Sequence, residues 1–212
     1  MESIEKQGKK GTTTLALVCK DGVVIAADRR ASMGYLIASK TTQKIFKVSK
    51  NIALTIAGSA ADGQKLADYL KAEMQLYKLN KDKEPSLTVA ANMMSNIVFS
   101  RAKSFIPYFI QLILAGKEED GSFAVYNLDM GGSMNKETDY TATGSGSPMA
   151  FGVLEDDYTS NLALQQGVDL ARRALMAAIK RDIASGSGIQ ISVVDSKGYR
   201  EVKTEELVHV AK

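Results

Sequence analysis

The 212-residue chain is 45% hydrophobic and 24% charged, enough apolar material for a sizeable core without disulfide staples or a structural metal. Its net charge of +3 is too slight to signal nucleic-acid binding. One cysteine excludes an intrachain disulfide framework and one histidine excludes clustered histidine metal sites, so a Ser-His-Asp hydrolase would have only His209 to use.

The first eleven residues, MESIEKQGKKG, are polar, carry both charge signs and lack the apolar core of a secretory signal. The most apolar window, 107–116 (PYFIQLILAG), is about half the length of a membrane span. A cytoplasmic chain with reduced thiols, away from membranes, is the expectation.

After Gly11 the texture becomes strand-like. Residues 12–19 (TTTLALVC) and 23–27 (VVIAA) flank the turn signal Lys20-Asp21-Gly22 and predict a hairpin. VVIAA is apolar at every position, which implies burial on both faces of its sheet. Strands are predicted at 35–39, 44–48 and 52–57. From Ala60 the period changes: Leu66, Leu70, Met74 and Tyr77 mark a helix to about Leu79. Ser86 is placed to N-cap a second helix carrying Ala90, Met94, Ile97 and Val98 on one face. Strands follow at 109–115, 123–128 and 140–142, then helices at 148–154 and about 161–184, and closing strands at 189–194 and 199–202. Segregated blocks of strands and helices argue for an α+β layered sandwich with antiparallel sheets, in one domain, rather than βαβ alternation.

The informative residues are those that break a pattern. Leu164, Val168, Ala171, Leu175 and Ala178 form the apolar stripe of the last helix, and the same spacing arrives next at Asp182. A core-facing acid near a helix C-terminus needs a partner, whether an arginine, a loop or a functional group. Asp28 follows the VVIAA strand and precedes Arg29 and Arg30, so it is either a locally paired turn acid or a site carboxylate. Lys44 by itself is an edge-strand lysine. The runs 143–148 (TGSGSP) and 185–188 (SGSG) lack phosphate-loop spacing and are tight turns. Cys19 is expected in the core and His209 at the surface; Met93-Met94 suits a core or a subunit contact. Glu118-Glu119-Asp120 suggests an exposed loop rather than a metal site. Thr12 would need a base to act as a nucleophile. A cut after Gly11 would supply one, the α-amine of Thr12 itself, with a reference pKa of about 7.7–8.0.

Taken in order, GTTTLALVCKDGVVIAADRRASMG, TIAG at 55–58, LKAEMQLYKL, TGSGSPMAFGVLE and RDIASGSG resemble the β-type subunits of the 20S proteasome core, archaeal type, which are N-terminal nucleophile hydrolases. The resemblance spans essentially everything after Gly11. It implies a four-layer αββα sandwich of two antiparallel sheets, with residues 1–11 a propeptide removed by self-cleavage and 12–212 one peptidase domain. It implies a threonine endopeptidase with Thr12 as nucleophile, Lys44 beside it and Asp28 holding the lysine. Many archaeal relatives carry Glu at the position of Asp28. The resemblance further implies Gly58 as the backbone donor to the oxyanion, and Ser145, Asp182 and Ser185 as the groups orienting the threonine amine and its water. Arg30 matches a structural position. Ser32 and Gly58 would contact the peptide backbone, and Ala31, Thr42, Ile56, Ala60 and Gln64 would line the pocket for the residue before the cut. That lining lacks a carboxylate, so apolar or aromatic residues are expected there. The implied partners are a homo- or hetero-heptameric β ring stacked on a second, α-subunit rings, an ATP-dependent unfoldase cap and unfolded polypeptide substrates, with no cofactor, metal or nucleic acid. The competing expectation is a non-catalytic or unprocessed subunit that only builds the ring.

Overall fold

The computed structural model describes residues 11–207. The chain opens with the hairpin β1 (Thr14–Cys19) and β2 (Gly22–Asp28), continues through β3 (Ala31–Met33), β4 (Leu36–Ser39), β5 (Ile45–Lys47) and β6 (Ile52–Gly58), and then enters helices α1 (Ala60–Lys81) and α2 (Leu87–Ala102). Strands β7 (Ile110–Lys117), β8 (Phe123–Leu128), β9 (Met134–Glu137) and β10 (Tyr140–Thr143) follow. Helices α3 (Ser147–Asp157) and α4 (Leu164–Arg181) precede β11 (Gly188–Asp195) and β12 (Gly198–Glu206). The Ser86 hydroxyl caps α2 by accepting from the Val89 amide at 3.4 Å, as its position before the helix predicts.

Among the described residues two five-stranded antiparallel sheets form, in the orders β10-β1-β2-β11-β12 and β5-β6-β7-β8-β9, and β3 pairs with β4. Three apolar clusters fix the layers. Ala16, Val23, Ile25 and Ala27 of the first sheet meet Ile45, Ala53, Ile113 and Ala115 of the second, so the sheets stack face to face. The outer face of the second sheet packs on α1 and α2 through residues such as Leu54, Leu70, Met94 and Leu114. The outer face of the first packs on α3 and α4 through Leu15, Ala26, Leu154, Ala171 and Leu175. The result is the αββα sandwich. All seven residues of β2 are buried, because it is the central strand of a sheet covered on both faces.

The stripe on α4 is buried throughout, but the helix stops three residues short of the predicted end. Asp182 is therefore not a core-facing helical residue. It is half-buried and extended, at φ −88° and ψ 113°, while its amide still donates to the Ala178 carbonyl. Strands β3 and β9 were not anticipated; both are short and polar or exposed, without the alternation that marks a half-buried strand. Strand β1 begins at Thr14, leaving Thr12 and Thr13 as irregular backbone before it.

Glu118 overturns the exposed-loop expectation. It is buried and accepts from the Thr88 amide, the Thr88 hydroxyl and the Tyr126 hydroxyl, with the Lys136 ammonium at 3.1 Å. Met94 is fully buried in the core, and Cys19 is buried too, where desolvation pushes its thiol up to about 12. His209 lies outside the described residues. Among the described residues no helix is long and apolar enough to cross a membrane, and no cluster of His, Cys, Asp and Glu could hold a metal.

Candidate active site

Sheet register brings the chemistry-bearing residues together at one end of the sandwich. Thr14 pairs with Ala27 on one side and Thr143 on the other, so the segment before β1 runs between the end of β2 and the turn after β10. Ile189 pairs with Asp28, which delivers the SGSG turn to the same place. The second sheet contributes Lys44, immediately before β5, and Gly58, the last residue of β6; the Lys44 carbonyl accepts from the Ile56 amide at 3.2 Å.

Asp28 is fully buried and uses both oxygens. Oδ1 accepts from Lys44 Nζ at 2.7 Å and from the Thr13 amide at 2.9 Å; Oδ2 accepts from the Arg30 amide at 3.0 Å and the Gly186 amide at 2.9 Å. Of the two openings left by the sequence, the partner is the lysine; Arg30 gives Asp28 its backbone N–H, while its guanidinium bonds the Ile183 carbonyl and Ser187. Lys44 is itself only 6% exposed. Burial drives its pKa below the ordinary 10.5, and the nearby carboxylates of Asp28 and Asp182 only partly oppose that fall. Lys44 does precede an edge strand, β5, but its Nζ is turned inward onto Asp28 instead of out to solvent.

Thr12 is 5% exposed. Its nitrogen, here still in the peptide bond to Gly11, donates to Ser145 Oγ at 3.3 Å. Ser145 Oγ and Ser185 Oγ each donate to Asp182 Oδ2 at 2.6 Å. The Thr12 hydroxyl donates to the Gly11 carbonyl at 2.7 Å, beside the carbon that would be attacked in a cut between the two residues.

Gly11, Thr12, Lys44 and Gly58 line one small open cleft, together with Ala31, Ser32, Thr42, Ile56, Ala60 and Gln64. Arg30, Gln43 and Phe46 complete the lining and were not anticipated; Phe46 lies two residues after Lys44 along β5, so period-two alternation could have signalled it. No carboxylate is among these residues. Gly58 has φ +113°, and a Cβ there would fall 2.2 Å from the Phe109 carbonyl oxygen, so only glycine fits. Ser145, Asp182 and Ser185 stand behind Thr12 rather than in the cleft lining.

A family model described as "Proteasome subunit" matches residues 8–194. The chain belongs to the proteasome subunit family. It is 47% identical over 204 residues to "Proteasome subunit beta" of Methanothermobacter thermautotrophicus, covering 96% of this chain and 95% of the relative. It is 46% identical over 198 residues to the protein of that name from Ferroglobus placidus, covering 93% of each. The Methanopyrus kandleri protein of that name is 46% identical over 199 residues, or 93% of this chain and 94% of its own.

Proposed function

We propose that this chain is a catalytic β subunit of the proteasome core that hydrolyses peptide bonds by threonine chemistry, with Thr12 as its nucleophile after self-cleavage between Gly11 and Thr12. The observation that carries this is the position of Thr12: its hydroxyl sits on the Gly11 carbonyl, its nitrogen on the Ser145–Asp182 pair, and it shares its cleft with Lys44, which is held from behind by the buried Asp28.

In self-cleavage the Thr12 oxygen attacks the Gly11 carbonyl carbon and the acyl group passes from nitrogen to oxygen. Water then hydrolyses the ester, leaving a Gly11 carboxylate and a free Thr12 amine. In substrate cleavage that amine accepts the hydroxyl proton, through a water, as the oxygen adds to the scissile carbonyl. The Lys44 ammonium favours the deprotonated nucleophile, and Asp28 holds it in place. The Gly58 N–H is assigned to the oxyanion, a contribution of about 3–4 kcal/mol for such a donor. The proton then passes to the leaving amine, and water releases the acyl group from Thr12.

The substrate would lie extended between the β3 segment at Ser32 and the end of β6 at Gly58, bound by main-chain pairing. Ala31, Thr42, Ile56, Ala60 and Gln64, with Phe46 beside them, give the side chain before the cut an apolar lining with nothing to neutralise a cation. Cleavage after Leu or Tyr should outrun cleavage after Arg.

The subunit would work in a heptameric β ring stacked on a second, flanked by α rings and fed unfolded chains by an ATP-driven cap in the cytoplasm. The test is the intact mass of the assembled particle, wild type and Thr12→Ala. Wild-type chains should begin at Thr12 and cut peptides, and the variant should do neither. Chains that keep residues 1–11 in a particle that still cuts peptides would sink the mechanism, and chains that keep them in an inactive particle would leave a subunit of the non-catalytic kind.

A further inference from the structure

Thr13 carries no role in the mechanism above, yet it is fully buried and uses every polar atom it has. Its amide donates to Asp28 Oδ1 at 2.9 Å and its carbonyl accepts from the Asp28 amide at 3.1 Å. Its hydroxyl lies 2.7 Å from Ser185 Oγ. The direction of that last bond follows from proton inventory. Ser185 has one hydroxyl hydrogen and gives it to Asp182 Oδ2 at 2.6 Å, so Thr13 must be the donor to Ser185. The chain is therefore directional, Thr13 to Ser185 to Asp182, with Ser145 donating to the same carboxylate oxygen from the Thr12 side. The socket is fitted to the hydroxyl as well: a Cβ on Gly146 would fall 2.0 Å from Thr13 Oγ1 and 3.2 Å from Asp182 Oδ2.

We propose that Thr13 is a positioning residue, whose hydroxyl and backbone N–H tie the Ser185–Asp182–Ser145 arm to the Lys44–Asp28 arm so that both meet Thr12 in register. The two arms come from different parts of the fold, and Thr13 is bonded to both, one bond from each carboxylate's own partners. The inference rests on the threonine-nucleophile function proposed above and deepens it.

The experiment compares Thr13→Val and Thr13→Ser in the assembled particle, reading kcat, KM and the pH profile of kcat on a short fluorogenic peptide ending in Leu. Val keeps the shape and removes the donor; Ser keeps the donor. Thr13→Val should lower kcat about three- to tenfold with KM within about twofold, the loss expected for one hydrogen bond that acts through another group. The acidic limb should also move. Without the Thr13 donor, Ser185 is a weaker donor to Asp182, whose oxygen then draws harder on Ser145 and favours the protonated Thr12 amine. The neutral amine then appears later, and the limb shifts up by about half a pH unit. The charged groups of the site, Lys44 with the Asp28, Asp182 and Arg30 that act on it, are unchanged between variants. Thr13→Ser should restore both kcat and the limb.

Should Thr13→Val fail to assemble, Thr13→Ala against Thr13→Ser isolates the hydroxyl in a smaller side chain. A Val or Ala variant with wild-type kcat and limb overturns the proposal, as does a Ser variant no better than Val or Ala. Failure of both Val and Ala to assemble also overturns it, since the hydroxyl would then serve folding. Thr12→Ala, run alongside, separates the two levels: residual peptidase activity there refutes the threonine nucleophile, whatever Thr13 does.

Discussion

Gly11 is packed against Ala184 so closely that a Cβ at position 11 would lie 1.7 Å from the Ala184 Cβ and 2.9 Å from Ser145 Oγ. The residue before the proposed nucleophile is thus held where only a hydrogen fits, with its amide donating to Ser32 Oγ at 3.3 Å. Gly11→Ala must push this backbone away from Ala184, and the carbonyl that accepts from the Thr12 hydroxyl moves with it. Self-cleavage should slow by on the order of a hundredfold, the scale on which a misplaced reacting group loses rate. A time course of intact mass during assembly checks this; processing at the wild-type rate would exclude a steric role for Ala184.

Asp28→Asn keeps the shape of the side chain and leaves Lys44 buried without its counter-charge. Breaking a buried pair in this way costs about 3–5 kcal/mol, so the thermal midpoint should fall. The carboxylate of Asp28 raises the Lys44 pKa against the downward pull of burial, so its loss lowers that pKa further and thins the ammonium population at neutral pH. Peptidase kcat should drop by on the order of a hundredfold. The alkaline limb of the wild-type pH profile should lie below 10.5, the ordinary lysine value, and Asp28→Asn should move it lower still. A limb that stays put would dissociate Lys44 from catalysis.

At Gly58 a side chain meets two penalties, a φ of +113° and a Cβ position 2.2 Å from the Phe109 carbonyl oxygen. Gly58→Ala should displace the amide assigned to the oxyanion. A fall in kcat of about 10²–10³, with KM little changed, is expected for loss of such a donor. Steady-state kinetics on particles matched for content of assembled subunit make the comparison; a rise in KM alone would assign Gly58 to substrate binding.

Ala60 opens α1 and lines the cleft, where a carboxylate would also be welcome to the helix N-terminus. Ala60→Glu should therefore fold normally and supply the anion the cleft lacks. In a panel of peptides differing only before the cut, the ratio of cleavage after Arg to cleavage after Leu should rise by about tenfold or more. An unchanged ratio would mean that this side of the cleft does not receive that side chain.

Glu118 gives a pH-dependent stability away from the site. Burial pulls its pKa upward, but Thr88, Lys136 and Tyr126 outweigh burial and hold it below 4.5. The folded carboxylate binds its proton less tightly than the unfolded one. Its stabilisation is therefore complete above 4.5 and fades as pH drops through the lower folded value. Glu118→Gln should cost about 1.5–3 kcal/mol at neutral pH, roughly 5 °C in Tm, and should flatten the acid-side decline. Melting curves across the acid range test it.

Much of the fold was legible because its signals are local. The all-apolar VVIAA run announced a strand covered on both faces, and the Leu164–Ala178 stripe announced the buried face of α4. Glu118 was not legible, since a run of three acids looks solvated whichever member turns inward. Spacing alone misplaces Asp182: the 4-3 step reaches it, but spacing cannot say where a helix stops. The carboxylate meets Ser145 and Ser185 because the chain has already left the helix.

By itself the sequence determined the family, the block order of strands and helices, and the residue types available for chemistry, because periodicity and motif order need only neighbours along the chain. Only the tertiary structure decided that Thr12, Asp28, Lys44 and Asp182, up to 170 positions apart (Thr12 to Asp182), meet at one end of the sandwich, and that Thr13 bonds to both arms. The physical reason is that these contacts are set by sheet register and by the stacking of one sheet on the other. Register is fixed by how every apolar residue of a strand is buried at once, not by any polar residue of the site.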